Sequence, residues 1–225
     1  MLSANEIAGR LTDVNGRIAR AAERSSRDPQ AICLVLATKT QPADAIRAAY
    51  LAGARDFGEN YVQEAAAKRG ALAGIEGIHW HLIGHLQSNK ARQACNLFEL
   101  IHSLNSERLA IALNKVRSTP PVRVLVELNL GGEATKTGVA PEDAERLIDA
   151  ARAHVEIAGL MTIPPPPPEK SRPFFRVLRE TRDTLAARSG LKLSELSMGM
   201  TDDFEVAIEE GATIVRVGRA VFGER

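Results

Sequence analysis

Ile32-Cys33-Leu34-Val35-Leu36-Ala37-Thr38-Lys39 is an apolar run, rich in branched side chains, that stops on a lysine. Runs of the same character recur at residues 56–60, 79–84, 98–104, 122–129, 156–163, 195–200 and 214–218, and a helical pattern follows each one but the last. Strands joined through helices run parallel, because the crossover returns the chain to the same end of the sheet. Eight such units predict an α/β fold, a single (β/α)8 barrel (TIM barrel), with an open doubly wound sheet as the alternative.

Ahead of the first run, residues 3–26 place Ile7, Leu11, Val14 and Ile18 on one helical face behind a Ser3-x-x-Glu6 capping box, which predicts an additional N-terminal helix. Gly53 and Gly211 stand where helices would end in the left-handed conformation, and Pro42 and Pro141 suit first helical turns.

The chain has 225 residues, 44% hydrophobic and 25% charged, enough for one substantial core, so residues 1–225 are read as one domain. A typical barrel takes about 250 residues, which leaves little length here for a lid. A net charge of +1 and an aromatic content of 4% argue against a nucleic-acid binder and for a small-molecule ligand. Cys33 and Cys95 make neither a disulfide framework nor a metal-ligand spacing, which fits a reducing cytoplasm. Arg10, Arg17, Arg20 and Arg24 suggest a transit peptide, but Glu6, Asp13 and Glu23 interrupt them and no apolar segment follows. No stretch is long enough to span a bilayer, so a soluble cytoplasmic protein is expected.

In either architecture ligands gather at the carboxyl ends of strands. Those ends hold Lys39, Asn60, Gly84-His85, residues 103–105, Asn129, Met161, residues 197–200 and Gly218-Arg219. A lysine there either snorkels to solvent or offers an amine for a Schiff base, and its polar neighbours across the mouth favour the second reading. Arg216 alternates with Val215 and Val217, so it points away from them into the barrel and needs an acceptor. Either Glu127 or Asp203 supplies a salt bridge, or a bound cofactor supplies a ring nitrogen.

Ser197, Gly199, Gly218 and Gly223 bring small residues and backbone N–H groups to the place where barrels commonly bind phosphate, although glycines there also simply make turns. His79 and His81 share a strand face with His85 close behind, but no familiar ligand spacing completes a set, so no metal is expected and His81 is placed by hydrogen bonds near the mouth. Prolines 164–168 read as a rigid extended loop, and Lys90 with Arg92 as an exposed helix start or an anion patch.

Ala37-Thr38-Lys39-Thr40, Phe57-Gly58-Glu59-Asn60-Tyr61-Val62-Gln63-Glu64, Trp80-His81-Leu82-Ile83-Gly84-His85-Leu86-Gln87-Ser88-Asn89-Lys90, Gly159-Leu160-Met161-Thr162-Ile163-Pro164, Leu196-Ser197-Met198-Gly199-Met200 and the closing segment from Arg216 to Gly223 together closely resemble the pyridoxal phosphate homeostasis protein family. The resemblance spans nearly the whole chain. It implies the barrel of alanine racemase without its second domain, bound pyridoxal 5′-phosphate (PLP), and no established catalytic activity. It also implies that Lys39 forms the internal aldimine and Arg216 approaches the pyridine nitrogen. Ser197 with the backbone at Gly199 and Gly218 would hold the phosphate, and Asn60 and Met198 would line the ring pocket.

Two positions depart from the family pattern: Arg219 stands where a small hydroxyl residue is frequent, and Thr201 where serine is usual. Thr201 keeps a hydroxyl, while Arg219 exchanges one for a charged donor.

An arginine opposite the pyridine nitrogen disfavours its protonation and weakens the electron sink. The expected function is therefore a cytosolic, non-catalytic, monomeric PLP-binding protein that keeps PLP and amino acids in balance and hands the cofactor to PLP-accepting apoenzymes, with neither nucleic acid nor membrane as partner. A PLP-dependent amino-acid racemase or lyase is the alternative. Racemization needs a base on each face of the substrate, however, and Lys39 supplies one, while neither Tyr50 nor Tyr61, the only tyrosines, matches the racemase's second. A cofactor-free phosphosugar aldolase using Lys39 is the third reading.

Overall fold

A computed structural model describes residues 2–116, 120–133 and 137–224. Its strands are β1 (Cys33–Ala37), β2 (Asp56–Glu59), β3 (His79–Leu82), β4 (Leu100–Leu104), β5 (Arg123–Leu128), β6 (Glu156–Thr162), β7 (Glu195–Ser197) and β8 (Ile214–Val217). All pair in parallel with the next in sequence, and β8 returns to β1 with Val35 opposite Arg216. That last pairing closes the sheet, so the barrel and not the open sheet is the architecture.

The helices are α1 (Ala4–Arg24), α2 (Ala43–Leu51), α3 (Val62–Ala71), α4 (Ala91–Leu97), α5 (Glu107–Asn114), α6 (Ala144–Ala151), α7 (Arg172–Ser189), α8 (Phe204–Glu209) and α9 (Arg219–Phe222). The last strand, expected to close the chain without a helix, is followed by the single turn α9. Pro42 caps α2, Pro141 opens a 3-10 turn before α6, and Gly53 and Gly211 take φ values of +106° and +105° behind α2 and α8.

The capping box of α1 forms as its spacing predicts, with Ser3 and Glu6 each satisfying the other's backbone N–H. Its buried face, which includes Ile7, Leu11, Val14 and Ile18, packs on α2, α8 and α9. Arg17 pairs with Glu205 at 2.8 Å, and Arg27 donates to the carbonyls of Ile208 and Ala212. The added helix thus seals the seam where β8 meets β1.

Alternation along each strand divides the core in two. Leu36, Phe57, Leu82, Leu196, Val215 and Val217 face the helices, in the larger cluster. Val35, Leu100, Leu125, Met161 and Ile214 fill the barrel's interior. The rest of that interior is polar: His81, His102, Ser197 and Arg216 are all buried. Buried polar groups are costly unless hydrogen-bonded, so each must find a partner inside the barrel. Among the described residues no helix is long and apolar enough to cross a membrane.

Candidate functional site

β1 stops at Ala37, short of the apolar run, and Lys39 stands in the turn just beyond it. The lysine is half-buried, with Nζ 5.5 Å from the centre of the Tyr61 ring. Its backbone is held on both sides. The Thr38 N–H donates to the Gly58 carbonyl, the Thr38 carbonyl accepts from Lys68 Nζ at 2.7 Å, and the Thr40 N–H donates to Glu64 Oε1 at 2.7 Å. Thr40 itself takes φ +67°, a left-handed conformation disfavoured for a branched residue and held here by those contacts.

Lys68 is the hub of this clamp. On α3 it faces Glu64 one turn earlier and reaches the fully buried Glu59 of β2, both at 2.7 Å. Burial pushes the Glu59 carboxyl above its ordinary range against the opposing bonds from Lys68 and Thr38. Burial also raises Glu64, but hydrogen bonds from Lys68 and the Thr40 N–H outweigh it and hold that carboxyl low. Glu59 and Glu64 lie within a motif quoted above; Lys68 is signalled only by its four-residue spacing from Glu64.

Arg216 points into the barrel as its alternation requires and is 4% exposed. Neither expected salt bridge forms among the described residues. Arg216 donates instead to Ser197 Oγ and, at 3.0 Å, to the Thr162 carbonyl. Burial lowers its pKa to about 10, with the charges of Asp203 and Glu127 opposing from a distance, so the guanidinium stays protonated at neutral pH. The Ser197 hydroxyl also meets His102 Nδ1 at 2.9 Å. His102 Nε2 lies 3.1 Å from His81 Nδ1, and His81 Nε2 lies 3.1 Å from Asp56 Oδ1. His81 is therefore bonded within the barrel toward its floor, not near the mouth.

The mouth-side loops place the remaining residues. Gly199 takes φ +88°, and a Cβ there would sit 2.5 Å from that of Ala207, so the loop after β7 closes on α8 only with glycine. A Cβ on Gly218 would meet the Ala37 carbonyl at 3.2 Å, which sets the backbone after β8 against the end of β1. Arg219 pairs with Asp202, joining the two loops, and is about half exposed. Asn60 is half-buried just past β2, with its backbone against Gly84. Met198 departs from its expected place: it is fully buried in the cluster between sheet and helices, on the side facing away from the barrel interior.

His79 and His81 converge on the Asp56 carboxylate at the floor, beside the Cys33 thiol, whose pKa is pushed up to about 12, chiefly by burial and then by the Asp56 charge. His85 lies apart at the mouth, against Asn105. Lys90 ends a short 3-10 turn and Arg92 is exposed on α4; prolines 164–168 form the loop after β6 and enter the next 3-10 turn. Thr162 lies within a motif quoted above, whereas His102 carries no sequence signal, because its partners lie far away along the chain.

The alanine racemase N-terminal domain model matches residues 11–225. The pyridoxal phosphate homeostasis protein of Aquifex aeolicus is 46% identical over 222 residues, covering 96% of this chain and 97% of that protein. PipY of Synechococcus elongatus, solved with PLP bound, superposes with a TM-score of 0.85 at 37% identity, covering 96% of this chain and all of PipY. Alanine racemase of Corynebacterium glutamicum shares the fold, with a TM-score of 0.74 at 18% identity, and this chain covers 61% of it. The chain belongs to the alanine racemase N-terminal domain family and, within it, to the pyridoxal phosphate homeostasis proteins.

Proposed function

We propose that this chain binds PLP at the barrel mouth, with Lys39 as the covalent anchor, and serves PLP homeostasis without catalysing turnover. The observation that carries the reading is Arg216. Its described direct partners, the Ser197 hydroxyl and the Thr162 carbonyl, are both neutral, so its charge and its remaining N–H donors are left for a ligand. PLP suits that donor set: its ring nitrogen accepts a hydrogen bond, its phosphate is anionic, and its aldehyde condenses with a primary amine such as that of Lys39.

In this reading the clamp on Thr38 and Thr40 aims Lys39 at the mouth. Asn60 borders the ring, and the backbone at Gly199 and Gly218 borders the phosphate. Ser197, whose hydroxyl is already engaged, acts by holding Arg216. Arg219, tied to Asp202, braces the two phosphate-side loops and adds positive charge near them. The contribution of Met198 is confined to backbone and packing. The name of the Aquifex relative and the PLP bound to PipY support the same assignment. Arg216 disfavours a proton on the ring nitrogen, which suits storage over carbanion chemistry. Release of PLP to apoenzymes by a cytoplasmic monomer is the finer form of the proposal.

Adding PLP to the purified protein tests the reading. A yellow absorbance band that saturates with one PLP per chain is expected; a protein that stays colourless would favour the aldolase.

A further inference from the structure

Four hydrogen bonds run in line from the floor of the barrel to its mouth: Asp56 of β2 to His81 of β3, His81 to His102 of β4, His102 to Ser197 of β7, and Ser197 to Arg216 of β8. We propose that His81 and His102 are positioning residues for Arg216, forming with Asp56 and Ser197 a relay of fixed direction that keeps the Ser197 oxygen available as an acceptor for the guanidinium. The functional meaning rests on the assignment of Arg216 to the cofactor; the direction of the relay does not.

Both ends impose the same direction. A guanidinium only donates, so Ser197 accepts from Arg216 and spends its own hydrogen on His102 Nδ1. An ionised carboxylate only accepts, so Asp56 takes the hydrogen of His81 Nε2. A neutral His81 then has a bare Nδ1, which accepts from His102 Nε2–H and leaves His102 Nδ1 bare to receive the serine hydrogen. Every linker has one donor and one acceptor in use, and reversing one bond would set two donors or two acceptors face to face.

His102 and Ser197 are fully buried, which leaves little room for water to repair a mismatch. Burial, followed by the nearby charge of Arg216, also keeps His102 neutral. The consequence lies at the mouth. Arg216 is oriented by a neutral oxygen in place of a carboxylate, which fixes its plane without cancelling its charge.

Two-bond 1H–15N spectra of the cofactor-free protein at neutral pH, assigned with single histidine variants, read the tautomers directly. The expected result is Nε2–H at both His81 and His102. An Nδ1–H tautomer or an imidazolium at either position would overturn the relay.

PLP titration supplies the second readout. His102→Leu, which leaves Ser197 without its acceptor, is expected to weaken binding roughly ten-fold and to move the absorbance maximum of bound PLP. His102→Gln can still accept from Ser197 and donate to His81, and is expected to restore affinity to within about three-fold of the parent protein. An unchanged affinity and spectrum in His102→Leu would overturn the positioning role. A protein that bound no PLP would overturn the proposed function instead, while the tautomer spectra would still decide the relay.

Discussion

Arg216 donates to the buried hydroxyl of Ser197, so β8 is tied to β7 inside the barrel by a side-chain bond between a cation and a neutral acceptor. A hydrogen bond to a charged group contributes about 1.5–3 kcal/mol. Ser197→Ala removes it and frees the guanidinium to turn. PLP affinity is expected to fall roughly ten-fold or more, measured by absorbance titration. An unchanged dissociation constant would show that Arg216 needs no such support.

Lys68 neutralises a fully buried carboxylate while holding the Thr38 carbonyl. Lys68→Met leaves Glu59 buried without its cation, a defect that typically costs about 3–5 kcal/mol. Because burial already raises the Glu59 pKa, losing Lys68 raises it further. The folded variant then holds a proton that the unfolded chain releases, so its deficit grows as pH rises through the folded-state value and shrinks toward pH 4.5. Urea denaturation at pH 8 and pH 5 should show the larger loss at pH 8; equal losses would place Glu59's compensation elsewhere.

His102 sits well below its ordinary pKa of 6.5 because burial, then His81 and Arg216, disfavour its charged form. Below pH 6.5 the unfolded chain takes up a proton at this site that the folded protein refuses, so stability is lost as pH falls toward the folded-state value. The slope for one proton is at most about 1.4 kcal/mol per pH unit. Unfolding curves at pH 7.5 and 5.5 should show a smaller acid loss in His102→Gln than in the parent. A matching loss in both would mean that other groups set the acid limit.

The regular part of the fold is legible because parallel strands covered on both sides read as continuous apolar runs, and all eight strands fall within the runs that the sequence displays. Closure is not legible: the pairing of Val35 with Arg216 joins opposite ends of the chain. At the candidate site, the strand-end rule marks Lys39, Asn60, Gly199 and Gly218, and the structure places all four just beyond the ends of β1, β2, β7 and β8. The period of two that turns Arg216 inward also turns Leu196 outward, Ser197 inward and Met198 outward, so the same rule applied along β7 corrects the place of Met198. His102 stays hidden because its bond to Ser197 spans 95 residues and no local pattern announces it.

A racemase needs a proton donor or acceptor on each face of its substrate, and Lys39 is the single amine assigned to this mouth. The PLP-loaded protein is expected to form no D-alanine at enzyme-like turnover from L-alanine in deuterated water, followed by NMR with Lys39→Ala as control. Lys39-dependent α-proton exchange with inversion would make the protein a racemase.

Borohydride reduction of the PLP-loaded protein, followed by peptide mass mapping, reads out whether Lys39 is the covalent anchor. The phosphopyridoxyl mass is expected on the peptide carrying Lys39, and is expected to be lost from that peptide in Lys39→Ala. Modification at Lys68 or Lys90 with Lys39 untouched would contradict that assignment.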